Sequence, residues 1–270
     1  MAPIVETVYD STLQPGFFQA WTGTLAFAAQ IFCDFAGYSL CAIGIAMCFG
    51  LILPDNFKFP YASIGFSDFW ERWHITLSTW LRDYLYIPLG GNRKGSFRTH
   101  LNLMLTMLIG GLWHGASWLF VIWGSLHGLF LIGERLIKMH RISSYEIWKK
   151  PMIRILLALV TFILICFAWV FFRAGTLERA FDIILAMVGY YSFSLYPELI
   201  VSVFDMIVVF IVTEIVLFFH WAMRDKSLEE AFANISWPVH ATLLAIMIFM
   251  IILSFSNFSG ESRAFIYFQF

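Results

Sequence analysis

The sequence contains little charge. Only 13% of its 270 residues are Asp, Glu, Lys or Arg, and the formal net charge is -1. Soluble globular domains carry about 25% charged residues, so this composition excludes an ordinary soluble domain. The balance of charge also gives no overall basic field that would favour a nucleic-acid partner. Hydrophobic residues make up 60% of the chain, and the mean hydropathy is +0.77, as expected for an integral membrane protein.

Several motifs of known catalytic and binding sites are also missing. The sequence has no phosphate-binding loop of the GxxxxGK type, no GxSxG nucleophile elbow, no heptad pattern and no internal repeat. Residues 1–16 lack the basic start, apolar core and cleavage site of a signal peptide. The few cysteines lie in apolar segments without metal-ligand spacing, so we predict packing roles and no metal site for Cys33, Cys41, Cys48 and Cys166.

Long apolar stretches divide the chain into membrane segments. Residues 17–53 are apolar for longer than one crossing, so either one kinked helix or two shorter helices would fit. Three later stretches have the length of single crossings, namely 152–172, 199–222 and 238–256. Residues 176–197 are predicted as an interfacial or short re-entrant helix. Three polar stretches are predicted as a lead and two loops: 1–16, 54–66 and 223–236. We therefore predict an all-α, polytopic membrane bundle that forms one domain over residues 1–270.

The stretch from Ser67 to Tyr86 is predicted as one helix at the membrane surface. Ser67 is a plausible N-cap, and tryptophans recur at helical spacing among mixed charges that include Arg82 and Asp83. The tryptophans are typical of an interfacial belt. His74 lies on this helix beside Trp73 and can face inward, where a structural role and a functional role are both open.

Two basic clusters bracket residues 101–137. The loop 88–100 carries three basic residues and no acid, and a second basic cluster follows at 138–154, so both are predicted to be cytoplasmic. The stretch between them is short for two crossings of about 20 residues each plus a turn. We therefore predict a half-crossing pair or re-entrant segment that breaks at Gly110-Gly111. A helix over 101–111 would climb about 16 Å and leave His114 near mid-membrane.

His114 and His127 occupy an apolar run without a neighbouring acid or base. An ionisable side chain at membrane depth is costly, which indicates function, and histidine is well suited to moving protons near neutral pH. The alternative is a buried histidine that binds a neighbouring helix through a hydrogen bond. The two histidines do not share one helical face, so they converge only if the chain breaks at Gly115 or Gly124. Two acids also lie in apolar runs, Asp34 and Glu214. For each, a structural hydrogen bond explains the position at least as well as a functional role does.

Several strings resemble the membrane-bound O-acyltransferase family, and most closely its bacterial alginate O-acetyltransferase-like branch. The two main strings are residues 69–92, which contain Trp73-His74, and residues 110–118, which contain Trp113-His114-Gly115. Shorter similar strings lie at 34–39, 53–57, 170–174 and 265–270. Members of this branch are longer, and the chain resembles their C-terminal portion.

The resemblance implies an acyltransferase with His114 as the catalytic histidine and His74 as a second active-site histidine. We predict substrate contacts from Trp113, His127, Arg82 and Asp83. The implied donor is a cytoplasmic thioester, either acetyl-coenzyme A or an acylated carrier protein, and no bound cofactor is expected. The implied acceptor is an exported polysaccharide, reached with a periplasmic or surface acetyltransferase partner, and the implied location is the bacterial inner membrane.

Other functions are also compatible with the sequence. Related chemistry includes D-alanyl transfer to teichoic acid and O-acetylation of peptidoglycan or another glycan. Histidines at membrane depth also suit a proton-coupled transporter, although such a transporter would show paired halves, which the sequence does not. An inactive membrane fragment or scaffold is the remaining non-enzyme alternative, and it would be indifferent to the loss of His114.

Overall fold

The computed structural model describes residues 1–139, 148, 150–191, 200–233 and 235–256. All regular structure in these ranges is helical, which confirms the all-α prediction. The α-helices are α1 (Ala2–Tyr9), α2 (Phe17–Cys48), α3 (Phe66–Trp70), α4 (Ile75–Leu81), α5 (Gly95–His114), α6 (Trp118–Met139), α7 (Pro151–Arg173), α8 (Leu177–Met187), α9 (Val203–Met223), α10 (Leu228–Ala233) and α11 (Trp237–Ser256). A 3₁₀ turn at Pro60–Ala62 and a π-helical turn at Arg82–Tyr86 complete them.

Four helices are long and apolar enough to cross a membrane: Phe17–Cys48, Trp118–Ile137, Pro151–Arg173 and Val203–Met223. The crossings predicted at 152–172 and 199–222 are therefore confirmed, and 17–53 contains one continuous helix rather than two. The apolar α11 coincides with the predicted last segment. The protein is thus a multi-pass membrane protein.

Contacts divide the chain into two units, residues 1–221 and 222–270. Within the second unit, the predicted loop 223–236 contains the short helix α10. Ser227 and Glu230 begin this helix with a reciprocal capping box, in which the Ser227 hydroxyl accepts from the Glu230 N–H at 3.0 Å. The prediction of one domain over 1–270 stays a prediction, and the segments 192–197 and 265–270 lie outside the described residues.

The predicted polar lead is partly folded. Residues 2–9 form α1, which buries Val5, Val8 and Tyr9. Val8 packs where Gly23 of α2 has no side chain, and a Cβ there would lie 2.5 Å from Val8 Cγ1. Tyr9 also shares a hydrogen bond with Thr24 of α2 at 3.1 Å. The prediction for residues 1–16 was wrong because the apolar positions of α1 find a partner surface on α2.

Helices α5 and α6 form a closely packed hairpin. The predicted break at Gly110-Gly111 was wrong, since α5 continues to His114 and its 20 residues span about 30 Å. Glycine at these positions permits close approach instead. A Cβ on Gly111 would collide with the Phe120 carbonyl oxygen, and a Cβ on Gly124 would collide with the Met107 carbonyl oxygen. Small residues at such an interface let two membrane helices approach closely.

We expect Gly124→Ala to disrupt this hairpin. The new methyl group would meet backbone atoms of Met107, which cannot move aside as a flexible side chain would. The substitution should lower the free energy of unfolding by at least about 1 kcal/mol. Size-exclusion chromatography in detergent after heating should therefore show less folded protein for this variant. Gly133→Ala on the same helix is the matched control because nothing lies within 4 Å of its added Cβ. Equal behaviour of the two variants would contradict this packing.

A loop and a helix differ from their predictions. Residues 54–66 were predicted as a surface loop, but the part from Pro60 to Ser63 is buried. The predicted helix from Ser67 to Tyr86 is interrupted at His74, and Ser67 is not its N-cap. Instead, Glu134 of α6 accepts the N–H groups of Phe66 and Ser67 at 2.6 and 2.9 Å. The packing prediction for the cysteines holds for Cys166 alone, since the other three are exposed.

Candidate active site

His114 is the last residue of α5 and lies among aromatic rings from three helices. Its ring centroid is 5.0 Å from that of Trp113, 5.1 Å from Trp123 on α6 and 4.9 Å from Phe172 on α7. Phe120 lies 6.1 Å away. His114 is half-buried and Trp113 is exposed, so these rings shield the imidazole in part and strengthen electrostatic interactions made there.

The turn after His114 depends on Gly115. A Cβ on Gly115 would lie 2.7 Å from Cε2 of Phe120, so the Phe120 ring packs where a side chain would otherwise stand. Gly115 is extended, with φ 164° and ψ 156°, and its carbonyl accepts the Ser117 N–H at 2.9 Å. The chain therefore reverses at Gly115, and α6 begins at Trp118. This is one of the two breaks predicted to let His114 and His127 converge.

His74 adopts a left-handed backbone conformation, with φ 43° and ψ 55°. This conformation is costly for a residue with a Cβ and is found at sites where the surrounding structure enforces it. Asn56 provides that enforcement: its carbonyl accepts the Ile75 N–H at 3.0 Å, and its side-chain oxygen accepts the Thr76 hydroxyl at 3.0 Å. The break at His74 ends the first half of the predicted helix and turns the imidazole towards α2 and α5.

The imidazole of His74 packs between Phe35 of α2, at 4.7 Å between ring centroids, and Trp113, at 6.3 Å. Trp113 therefore lies next to both His74 and His114. Nδ1 of His74 is buried and has no hydrogen-bond partner among the described residues. His74 lies outside the four membrane-spanning helices. Burial, followed by the like charge that His114 can carry, lowers the pKa of His74 to about 3.

We expect His74 to make the protein less stable at acid pH. Unfolded histidine has a pKa of about 6.5, while the pKa of folded His74 is about 3. Between these values the unfolded chain binds a proton that the folded chain does not, so the free energy of unfolding decreases as the pH falls. His74 alone accounts for a loss of about 2 kcal/mol between pH 7.5 and pH 5.

Thermal unfolding in detergent at pH 7.5 and pH 5 measures this effect. The variant His74→Asn tolerates the left-handed backbone but cannot take up a proton in this range. It should therefore lose less stability on acidification than the unchanged chain. An equal loss in both proteins would show that the pKa of His74 is not lowered.

His127 joins this group through Trp123. Its ring centroid is 4.7 Å from Trp123, 5.0 Å from Trp70 and 6.0 Å from Phe69. The side chain is fully buried, and neither ring nitrogen has a hydrogen-bond partner among the described residues. The structure thus brings His114, His74, Trp113 and His127 into one aromatic cluster, although the predicted substrate contact of His127 stays a prediction.

Arg82 and Asp83 are arranged differently. They lie on the π-helical turn, their side chains are 60% and 41% exposed, and they pair with each other at 2.7 Å. The hydrogen bond from Arg82 lowers the pKa of Asp83. Arg82 also lines a small apolar cavity of about 140 Å³ beside Trp70 and Leu81. Their predicted contact with substrate likewise stays a prediction.

Sequence reasoning missed several residues that surround the histidines. Trp123 and Phe172 contact His114 from other helices, and Asn56 holds the backbone of His74. Phe172 lies in the string 170–174 that carried part of the family resemblance, which is the one signal that pointed to it. Asn56 lies in the similar string 53–57, but nothing in the sequence indicates its contact with residues 75 and 76.

Comparison with known proteins gives a consistent result. Residues 3–174, more than half of the chain, match the family model described as MBOAT, membrane-bound O-acyltransferase family. The chain is 45% identical over 195 residues to the probable alginate O-acetylase AlgI of Azotobacter vinelandii, covering 72% of the chain and 38% of that protein. It is 47% identical over 189 residues to the peptidoglycan O-acetyltransferase of Helicobacter pylori, covering 69% and 35%.

A more distant relative is named for a different activity. The chain is 30% identical over 163 residues to the teichoic acid D-alanyltransferase of Bacillus subtilis, covering 54% of the chain and 39% of that protein. The chain thus spans little more than a third of the length of each of these relatives.

Proposed function

Because the chain belongs to the membrane-bound O-acyltransferase family, we propose that it transfers an acetyl group from a thioester donor to a hydroxyl of an exported polysaccharide. The observation that carries this proposal is the convergence of His114 and His74 on Trp113 within an apolar aromatic cluster. An imidazole there can exchange a proton with a reacting group while the surrounding rings restrict the access of water. The names of the more similar relatives, an alginate O-acetylase and a peptidoglycan O-acetyltransferase, support a polysaccharide as the acceptor.

The reaction needs a base because a sugar hydroxyl is a weak nucleophile at its own pKa. In the proposed step, His114 takes the hydroxyl proton while the hydroxyl oxygen forms a bond to the thioester carbonyl carbon. The carbon–sulfur bond then breaks, and the leaving thiolate takes the proton from the His114 imidazolium. Acetyl ester and free thiol are the products, so no further reactant is required.

His74 is proposed to stabilise the oxyanion that forms between these two events. Its pKa of about 3 keeps the ring neutral at physiological pH, so one ring nitrogen carries a proton and can donate it in a hydrogen bond. A donor in an environment of low dielectric is worth more than the same donor in water. Trp113 lies between the two histidines and is proposed to bound the space for the acyl group, with His127, Arg82 and Asp83 as outer substrate contacts.

The donor is proposed to arrive from the cytoplasmic side as acetyl-coenzyme A or an acetylated carrier protein. Arg93, Lys94 and Arg98 lie at and near the start of α5, one helix length of about 30 Å from His114. They suit the positive-inside topology and can also meet donor phosphates. The proposed location is a bacterial inner membrane, where a periplasmic or surface acetyltransferase partner would receive the acetyl group.

A radiolabelled assay tests the proposal. Membranes containing the chain are given acetyl-coenzyme A, acetylated carrier protein or D-alanyl carrier protein, together with alginate-type or peptidoglycan fragments. We expect label to enter base-labile esters from an acetyl donor. Transfer of D-alanine alone would favour the second candidate, which the relative from Bacillus subtilis supports. Acyl transfer would be contradicted if no thioester is consumed, even when the N-terminal part of a longer relative is co-expressed with the chain.

A further inference from the structure

His220 is a buried histidine that the proposed reaction does not use. It lies in the last turn of α9, and only 1% of its surface is exposed. Its ring packs among aromatic side chains, with centroid distances of 4.5 Å to Phe32, 5.8 Å to Phe59 and 5.4 Å to Tyr61. A histidine in such a place needs a reason, because a small apolar residue would pack there without a polar atom.

Its hydrogen bond gives that reason. Nδ1 of His220 accepts the backbone N–H of Tyr61 at 3.1 Å, so the proton of the neutral ring lies on Nε2. Tyr61 belongs to the buried turn Pro60–Ala62, which is not part of a membrane-spanning helix. The Tyr61 N–H therefore has no helical carbonyl as its hydrogen-bond acceptor. A buried backbone N–H of this kind needs an acceptor elsewhere in the protein.

Tyr61 connects this hydrogen bond to the active site. Its ring lies 27° from parallel with His220 and 26° from parallel with Trp73, at centroid distances of 5.4 and 6.2 Å. Trp73 directly precedes His74 and is itself buried against Trp169 at 4.9 Å. The Tyr61 hydroxyl donates to the Ala28 carbonyl of α2 at 2.5 Å. A stacked column therefore leads from His220 through Tyr61 and Trp73 to the backbone of His74.

The segment that follows Tyr61 is held in the same manner. The Gly65 N–H donates to Thr161 of α7 at 3.0 Å, and the N–H groups of Phe66 and Ser67 donate to Glu134. We name Tyr61–Ser67 the clamped segment, because side chains of α6, α7 and α9 accept backbone N–H groups at both of its ends. His220 holds the end of this segment that stacks on Trp73.

We propose that His220 is a positioning residue for His74: it accepts the Tyr61 N–H through Nδ1 and thereby fixes the clamped segment against Trp73. The role rests on the proposed function for the part that His74 plays in catalysis. The acceptor atom is what matters, and no proton is transferred by His220. A side chain that offers an acceptor at the position of Nδ1 should therefore replace it.

Substitution of His220 by asparagine or by glutamine distinguishes the roles of its two ring nitrogens. The Oδ1 atom of Asn lies near the position of Nδ1, whereas the Oε1 atom of Gln lies near the position of Nε2. We expect His220→Asn to keep at least half of kcat for acetyl transfer, and His220→Gln to lower kcat at least tenfold with little change in KM for the donor. His220→Phe retains a ring but no acceptor, and it should behave like His220→Gln. It serves as the second variant where glutamine impairs folding.

A second readout does not depend on activity. Diethyl pyrocarbonate labels accessible imidazoles, and mass spectrometry gives the labelling rate of His74, with His240 as the internal control. Labelling of His74 should rise severalfold in His220→Gln and His220→Phe but not in His220→Asn. Equal results for Asn and Gln, in kcat or in labelling, would overturn the proposal. If the unchanged chain transfers no acetyl group, the proposed function fails, and the labelling rates alone decide the role of His220.

Discussion

Replacement of His114 by alanine is expected to lower kcat for acetyl transfer by about 100- to 10,000-fold, the range that a lost general base produces. The expected loss is this large because water is a much weaker base than an imidazole, and the rings around half-buried His114 restrict its access. Trp123 and Phe172 lie within 5.1 Å of its ring centroid and come from other helices. KM for the thioester should change little, because His114 is proposed to meet the acceptor proton and not the distant parts of the donor.

The measurement is the ester content of the polysaccharide formed by membranes that carry equal amounts of each protein. His114→Gln is the shape-conserving variant, since glutamine can form hydrogen bonds but cannot act as a base near neutral pH. His100→Ala is the matched control, a histidine near the other end of the same helix α5. Full activity of His114→Ala would show that His114 is structural, and a loss in His100→Ala of the same size would show that the helix, not the base, is what the substitutions damage.

The membrane segments could be predicted from the sequence because the bilayer leaves few options. A segment in lipid must satisfy its backbone internally, so a long apolar run becomes a helix whatever its neighbours are. This is why α7 and α9 lie within a few residues of their predicted bounds. The same rule does not locate breaks, since a break is allowed wherever another part of the protein supplies hydrogen-bond acceptors.

The breaks around the site illustrate this limit. The chain turns at His74 because Asn56 binds residues 75 and 76, and α3 begins at Phe66 because Glu134 caps it. Each acceptor is remote in sequence, so no local pattern predicts the contact. Conversely, Gly110-Gly111 is a strong local signal for a break, but the helix continues through both residues. Gly111 permits the close approach of α6, and Gly110 packs against Leu81 of α4.

The histidines themselves were predictable for a different reason. A titratable group in an apolar run is rare, and that rarity marked His114 and His127. His220 also lies in an apolar run, the crossing predicted at 199–222, but it was not singled out from the sequence. The sequence cannot separate their roles, because the distinction depends on what each nitrogen faces. Nδ1 of His220 faces a backbone donor, whereas both nitrogens of His127 lack a partner among the described residues.

The second large effect is expected at His74, where a series of substitutions separates the imidazole from the backbone. His74→Ala should lower kcat for acetyl transfer by about 100-fold, as expected for the loss of one oxyanion donor. His74→Gly should lower kcat equally, since neither residue has a side-chain donor. The two variants should differ in stability, however, because His74 has φ 43° and only glycine adopts this conformation without steric cost.

Thermal unfolding in detergent gives the comparison. His74→Gly should be more stable than His74→Ala by about 1 kcal/mol, the cost of left-handed backbone for a residue with a Cβ. His74→Asn should lie between alanine and glycine in stability, because asparagine tolerates left-handed backbone better than alanine. It should also retain more activity than alanine, since its amide can donate a hydrogen bond from nearly the same position. Equal stability of the alanine and glycine variants would mean that the backbone at residue 74 relaxes freely. Activity of the glycine variant near that of the unchanged chain would mean that the strained backbone at this position serves the fold alone, and that the oxyanion is stabilised by another group beside Trp113.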